Sequence, residues 1–388
     1  MNDHKNWKKE TVLMHAGRKP EDYFGVVNPP IARTSTILYE DLAAYLDPKT
    51  KFRYGRVNNP LSDAFEGAIA ELEGGYHAVT ASSGLAAITT TLLSFLKTGD
   101  HVLIVDSCYP PTRFFANKQL KSYGVDVEYY DPMIGAGIEG LIKENTALIY
   151  LESPGSATFE VQDVPAIVQV AKKHDVLTVM DNTYSAGVLF KPLSHGVNIS
   201  VQSAAKYLGG HSDVNLGVAV VDTKEHYKTL KNCAVNLGAC AGAEDLYLSM
   251  RGLRTLEMRL KHAEENMRPV LEWFKGRDEV QTLYCPALEE NKGHEIWKRD
   301  FTGVNGVFGV LFHPKYNFDD IARFVDALTL FPVGSSWGGY ESLIQPQDMD
   351  AYRSDWDKDG VFIRFQVGNE NPQDLIEDLA QGIKNLND

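Results

Sequence analysis

Between residues 101 and 222, short apolar runs alternate with stretches of helical pattern. HVLIVD at 101–106, VDVEYYD at 125–131, TALIYLE at 146–152, VLTVMD at 176–181, ISVQS at 199–203 and GVAVVD at 217–222 all read as strands. Several are apolar at consecutive positions, so both of their faces require cover, and the stretches between them are long enough for helical crossovers. This predicts an α/β fold built on a mostly parallel sheet. One intervening stretch, VPAIVQVAKKHD, puts Val164, Ile167, Val168 and Ala171 on a single helical face.

Upstream, LSDAFEGAIAELEGG carries Leu61, Phe65, Ile69 and Leu72 at helical spacing and ends in two glycines suited to a C-terminal cap. Residues 1–59 hold Pro20, Pro29, Pro30 and Pro48 without long periodicity, which predicts an extended arm with turns, of the kind that reaches another subunit. After a helical stretch near 244–275, GVFGVLF at 307–313 and VFIRFQVG at 361–368 read as strands of a further unit. The expected organisation is an N-terminal arm at 1–59, a large domain at 60–249 and a smaller α/β C-terminal domain at 250–388.

The chain's 52 acidic and 38 basic side chains leave a net charge of −14, which repels phosphate backbones and anionic lipid. Neither nucleic acid nor membrane is expected as a partner. No apolar run approaches the roughly 20 residues a spanning helix needs, and MNDHKNWKKE lacks the apolar stretch of a secretory signal. The four cysteines show no C-x-x-C pair and no zinc spacing, so no metal site is expected. Reduced thiols in a cytoplasmic protein are the expectation.

The chemistry concentrates in SVQSAAKYLGGHSD, where Lys206 follows a strand directly, the place where α/β folds put their sites. VLTVMDNTYSAG ends another buried strand at Asp181. A lysine able to form a Schiff base and an acid able to keep a ring nitrogen protonated are the pair a pyridoxal phosphate enzyme requires. TASSGLAAITT adds Ser83, Gly84 and Leu85 at the start of an apolar helix, where N–H groups and the helix dipole favour an anion. A nicotinamide-binding sheet is disfavoured, because no G-x-G-x-x-G follows the first strands.

From about Thr11 to Leu379 the chain resembles the Cys/Met-metabolism family of pyridoxal phosphate enzymes. The resemblance rests on KFRYGRVNNP, SSGLAA, DHVLIVDSCYPP, LESPGS, VMDNTYSAGVLFKPL, SVQSAAKYLGGHSD, RGLRTLEMRL, SSWGGYESL and IRFQVGNENPQDLIEDL, in that order. It implies the fold-type I architecture and pyridoxal 5′-phosphate as cofactor, held by residues 60–249. By the same resemblance Lys206 is the Schiff-base lysine, Asp181 the partner of the pyridinium nitrogen and Tyr109 the ring stacked on the cofactor. Ser203, Gly84 and Leu85 match phosphate-binding positions. Tyr54 and Arg56 match a pair that crosses into a neighbouring subunit's site, which implies a homotetramer with shared sites. Tyr109 and Tyr54 also stand among the expected catalytic residues. Arg364 matches the clamp for the substrate α-carboxylate, and Ser336, Trp337 and Ser156 match residues beside the substrate.

One departure stands out. The residue before the lysine is Ala205, where the family usually places a hydroxyl on the phosphate. The YGRVNNP arm looks closer to γ-acting relatives, whereas Trp337 and Ser156 look closer to the bacterial β-acting branch. The implied reaction is β-elimination from L-cystathionine, a small amino-acid substrate, with γ-elimination or cysteine desulfhydration by a related lyase as the alternative.

Overall fold

The computed structural model describes residues 7–387. Seven strands form the larger sheet: β1 (His77–Ala81), β2 (His101–Val105), β3 (Asp126–Tyr130), β4 (Thr146–Glu152), β5 (Leu177–Asp181), β6 (Ile199–Ser203) and β7 (Gly217–Val221). Their spatial order is β1-β7-β6-β5-β4-β2-β3. The pairs from β3 across to β6 are parallel, and only β7 runs against its neighbours. All five residues of β2 and of β7 are buried, as strands covered on both faces require.

The helices form where periodicity and capping agree. Pro60–Glu73 begins with a capping box between Asn59 and Ser62 and buries Leu61, Phe65, Ile69 and Leu72. In the Val164–Lys173 helix, Asp163 accepts a hydrogen bond from the Ala166 N–H, a cap worth about 1 kcal/mol. Val164, Ile167, Val168 and Ala171 are buried in the core beside the sheet, so the expected face is the observed one.

A second, antiparallel sheet follows, from β8 (Val280–Tyr284), β9 (Val307–Phe312), β10 (Leu343–Gln347) and β11 (Phe362–Gln366), in the order β10-β11-β9-β8. Its outer core gathers Phe274, Phe308, Phe331 and Phe365, with Phe308 and Phe365 stacked at 5.3 Å between ring centroids. Alternation along β11 sends Ile363 and Phe365 into that core, while Phe362 packs with Leu311 and Val307 in a cluster that also holds Ala157 and Tyr207 of the larger sheet's loops. The odd face of β11 therefore builds its own sheet and the even face meets the larger one.

Of the expected arm, residues 1–6 lie outside the described residues. The remainder holds a Lys9–His15 helix, a Leu42–Leu46 helix and long irregular stretches. Leu13 is buried, and Arg254 donates to the Leu13 and Ala16 carbonyls, which ties the start of the segment to the body. Farther along, Phe24, Leu38, Leu42 and Leu46 are exposed. Among the described residues no helix is long and apolar enough to cross a membrane.

Candidate active site

Strand register sets the site. Glu152 at the end of β4 pairs with Asp181 at the end of β5, and Asp181 pairs with Val201 on β6. Three adjacent parallel strands thus end together, and Lys206 follows three residues after β6. The cavity at these strand ends measures about 220 Å³. It is lined by Ser83, Gly84, Leu85, Tyr109, Ser156, Asp181, Ser203, Ala205, Lys206, Trp337 and Arg364 from the sequence reading, with Glu152, Thr183, Asn215 and Tyr352 in addition.

Lys206 Nζ donates to Ser336 Oγ over 2.8 Å and lies 5.7 Å from the centre of the Trp337 ring. Burial, reinforced by the Arg364 guanidinium, pushes its pKa down to about 8 against the pull of Asp181. Gly338 supports this contact: its φ is +80°, and a Cβ there would stand 2.9 Å from the Tyr207 nitrogen. A side chain at 338 would be strained and would collide with the backbone that carries the lysine.

Asp181 is buried and accepts from the Thr183 N–H at 2.9 Å. Burial raises its pKa, while Thr183 and the Lys206 ammonium oppose the shift. Glu152 is a neighbour that sequence reading passed over. Its carboxylate accepts from the Tyr109 N–H at 2.7 Å and from the Ser156 hydroxyl, and burial beside Asp181 pushes its pKa up strongly. Tyr109 and Ser156 are therefore set by one carboxylate. The signal was present in LESPGS, where the acid ends an otherwise apolar strand.

The Gly84–Phe95 helix starts at the cavity, with Ser83 Oγ accepting from the Ala86 N–H. A Cβ on Gly84 would stand 2.5 Å from the Ser203 Cβ, so only glycine lets the helix N-terminus approach the end of β6 this closely. Thr183 Oγ1 accepts from the Ser203 N–H at 2.9 Å and fixes that strand end. Ala205 lines the wall without a hydroxyl.

Arg364, on β11 opposite Gln345 on β10, donates through Nη2 to the Ser336 carbonyl at 3.0 Å and to Gln345 Oε1 at 2.5 Å. Its side chain is thus turned toward the cavity, on the face of β11 that meets the larger sheet. Tyr54 and Arg56 are not part of the lining within one chain. Tyr54 is exposed, and Arg56 donates to the Val235 carbonyl at 2.8 Å.

The family model described as Cys/Met metabolism PLP-dependent enzyme matches residues 10–384. The chain belongs to this family. It is a pyridoxal phosphate-dependent enzyme of the carbon–sulfur lyase type, similar to the cystathionine β-lyases of Escherichia coli and Haemophilus influenzae. The first is 40% identical over 98% of this chain and 99% of its own, and the second 38% identical over 97% and 98%. The solved structure of cystathionine γ-lyase from Lactobacillus plantarum, complexed with L-serine, superimposes with a TM-score of 0.92 at 30% identity, covering 98% of this chain and 100% of that one. The fold is accordingly that of the family's pyridoxal phosphate enzymes.

The residues of the cavity fit the cofactor. A partly desolvated lysine amine, a buried carboxyl at the adjacent strand end and a helix N-terminus brought close by Gly84 meet the three demands of an aldehyde, a ring nitrogen and a phosphate.

Proposed function

We propose that the protein performs β-elimination on L-cystathionine, which with one water gives homocysteine, pyruvate and ammonia. The observation that carries this reading is that Lys206 and Arg364, both lining one cavity, are held by a single serine beside it, an acid–base group and a carboxylate anchor at a fixed separation. Pyridoxal phosphate, when bound, supplies the electron sink for charge released at the substrate α-carbon. Lys206, Asp181, Tyr109, Gly84, Leu85 and Ser203 hold it in this reading, with Tyr54 and Arg56 of a neighbouring subunit.

Arg364 takes the α-carboxylate, which fixes the amino acid at one end. Lys206 Nζ, as the neutral amine, removes the α-proton and then returns a proton to the departing sulfur. Ser336 Oγ keeps that nitrogen from swinging away between the two transfers. Trp337 and Tyr352 line the same cavity. Support for β- over γ-elimination comes from Trp337 and Ser156 and from the names of the two bacterial relatives.

The division into an arm at 1–59, a cofactor domain at 60–249 and a C-terminal domain at 250–388 belongs to the same proposal. So do a homotetramer with shared sites and a cytoplasmic location. The test is product analysis with L-cystathionine: pyruvate and homocysteine support β-elimination, whereas 2-oxobutyrate and cysteine refute it.

A further inference from the structure

Arg364 has a neighbour that neither the reading of motifs nor the proposed chemistry uses. Gln345 stands directly across the β10–β11 ladder, and its side chain meets the guanidinium. A guanidinium has donors only, so the Gln345 oxygen faces Arg364. The amide nitrogen is then turned the other way, where it donates to Ser335 Oγ at 3.3 Å. Gln345 thus bridges Arg364 to the loop that carries Ser335, Ser336 and Trp337.

The two Nη2 hydrogens of Arg364 go to Gln345 Oε1 and the Ser336 carbonyl, and among the described residues Nη1 and Nε have no partner. The guanidinium is fixed from one side and open on the other. Burial also lowers its pKa, so it is a cation with little water around it and no carboxylate in hydrogen-bond contact. A neutral amide orients such a group and leaves its charge intact. A carboxylate at 345 would hold it equally well in geometry but would neutralise it and compete with a ligand's own carboxylate.

We propose that Gln345 is a positioning residue that sets the selectivity of this site for ligands bearing an α-carboxylate. The proposal rests on the reading of Arg364 as the carboxylate anchor. It predicts that the identity of residue 345 changes discrimination between a carboxylate and its neutral isostere more than it changes fold stability.

The experiment uses the holoenzyme and two probes, L-alanine and L-alaninamide, whose binding is read from the cofactor's visible absorbance. The native protein should prefer L-alanine. Replacing Gln345→Met, close in size but without the acceptor, should cut that preference roughly tenfold, the loss expected for one hydrogen bond to a charged group. Gln345→Glu should cut it further and raise KM for amino-acid substrates more than it lowers kcat. Arg364→Leu separates the two levels of the reading. If R364L loses the preference while Q345M and Q345E keep it, Gln345 has no positioning role. If R364L keeps the preference, the anchor itself lies elsewhere. Equal weakening of both probes in Q345M with a lowered Tm would mark a merely structural residue and overturn the proposal.

Discussion

Lys206 donates to the hydroxyl of Ser336 over 2.8 Å, while the carbonyl of the same serine receives Arg364 over 3.0 Å. The acid–base amine on the larger sheet and the carboxylate anchor on the smaller one therefore share a single residue, and any shift of that loop moves both. Removing the hydroxyl in Ser336→Ala takes an acceptor from the ammonium form. The amine pKa should then fall below its present value of about 8.

The depressed amine has its own consequence. Below about pH 8 the ammonium form of Lys206, which does not attack an aldehyde, is the major one, and above it the neutral amine dominates. Capture of added pyridoxal phosphate by cofactor-stripped protein should accelerate as pH rises through about 8 and level off thereafter. Stopped-flow reconstitution between pH 6.5 and 9.5 checks this, and S336A should shift the curve to lower pH. A rate still climbing toward the ordinary lysine range contradicts it.

Lys206→Ala should lower turnover of the amino-acid substrate by at least about 10³-fold, the scale of a lost general acid–base group. Pyruvate formation measured by a coupled assay decides it, and residual activity near the native level would remove Lys206 from the chemistry.

Glu152 holds the Tyr109 backbone and the Ser156 hydroxyl together. Glu152→Ala leaves a partly buried N–H unpaired and should cost about 1–3 kcal/mol in denaturant unfolding. Glu152→Gln keeps an acceptor for that N–H and should recover most of the loss. Burial raises the pKa of both Glu152 and Asp181, so the folded chain retains protons that the unfolded chain releases. The contribution of these two groups to stability therefore declines as pH rises above the ordinary carboxylate range.

Asp106 behaves in the opposite sense. Burial pushes its pKa up, but Ser354 and Arg113 outweigh that and hold it below the usual value. It also pairs with Arg353, and Arg113 reaches the Tyr352 carbonyl, so the buried group fixes a wall of the cavity. Asp106→Ala leaves the buried Arg113 without a carboxylate among the described residues, while Arg353 keeps Glu160 and Asp355, and should cost about 3–5 kcal/mol in urea unfolding. In the native protein this support is present above the ordinary aspartate pKa and is lost as pH falls through the lowered one.

Strands rich in apolar residues announced themselves, and β2 to β7, β9 and β11 lie where the sequence put them. β1, β8 and β10 passed unnoticed, because HAVTA, VQTLY and LIQPQ mix polar with apolar residues and owe their pairing to neighbours distant in sequence. Lys206, Asp181 and Gly84 were legible because strand ends and helix starts are local features. Gln345 and Tyr352 were not, since each gains its meaning from a contact across a ladder or between sheets, and Glu152 was signalled only by an acid at the end of an apolar strand.

The most direct test of the whole account is the product pair released from L-cystathionine by the cofactor-loaded protein. The account predicts pyruvate with homocysteine in equal amounts. Release of 2-oxobutyrate with cysteine, or of neither pair by protein that carries its cofactor, would contradict it.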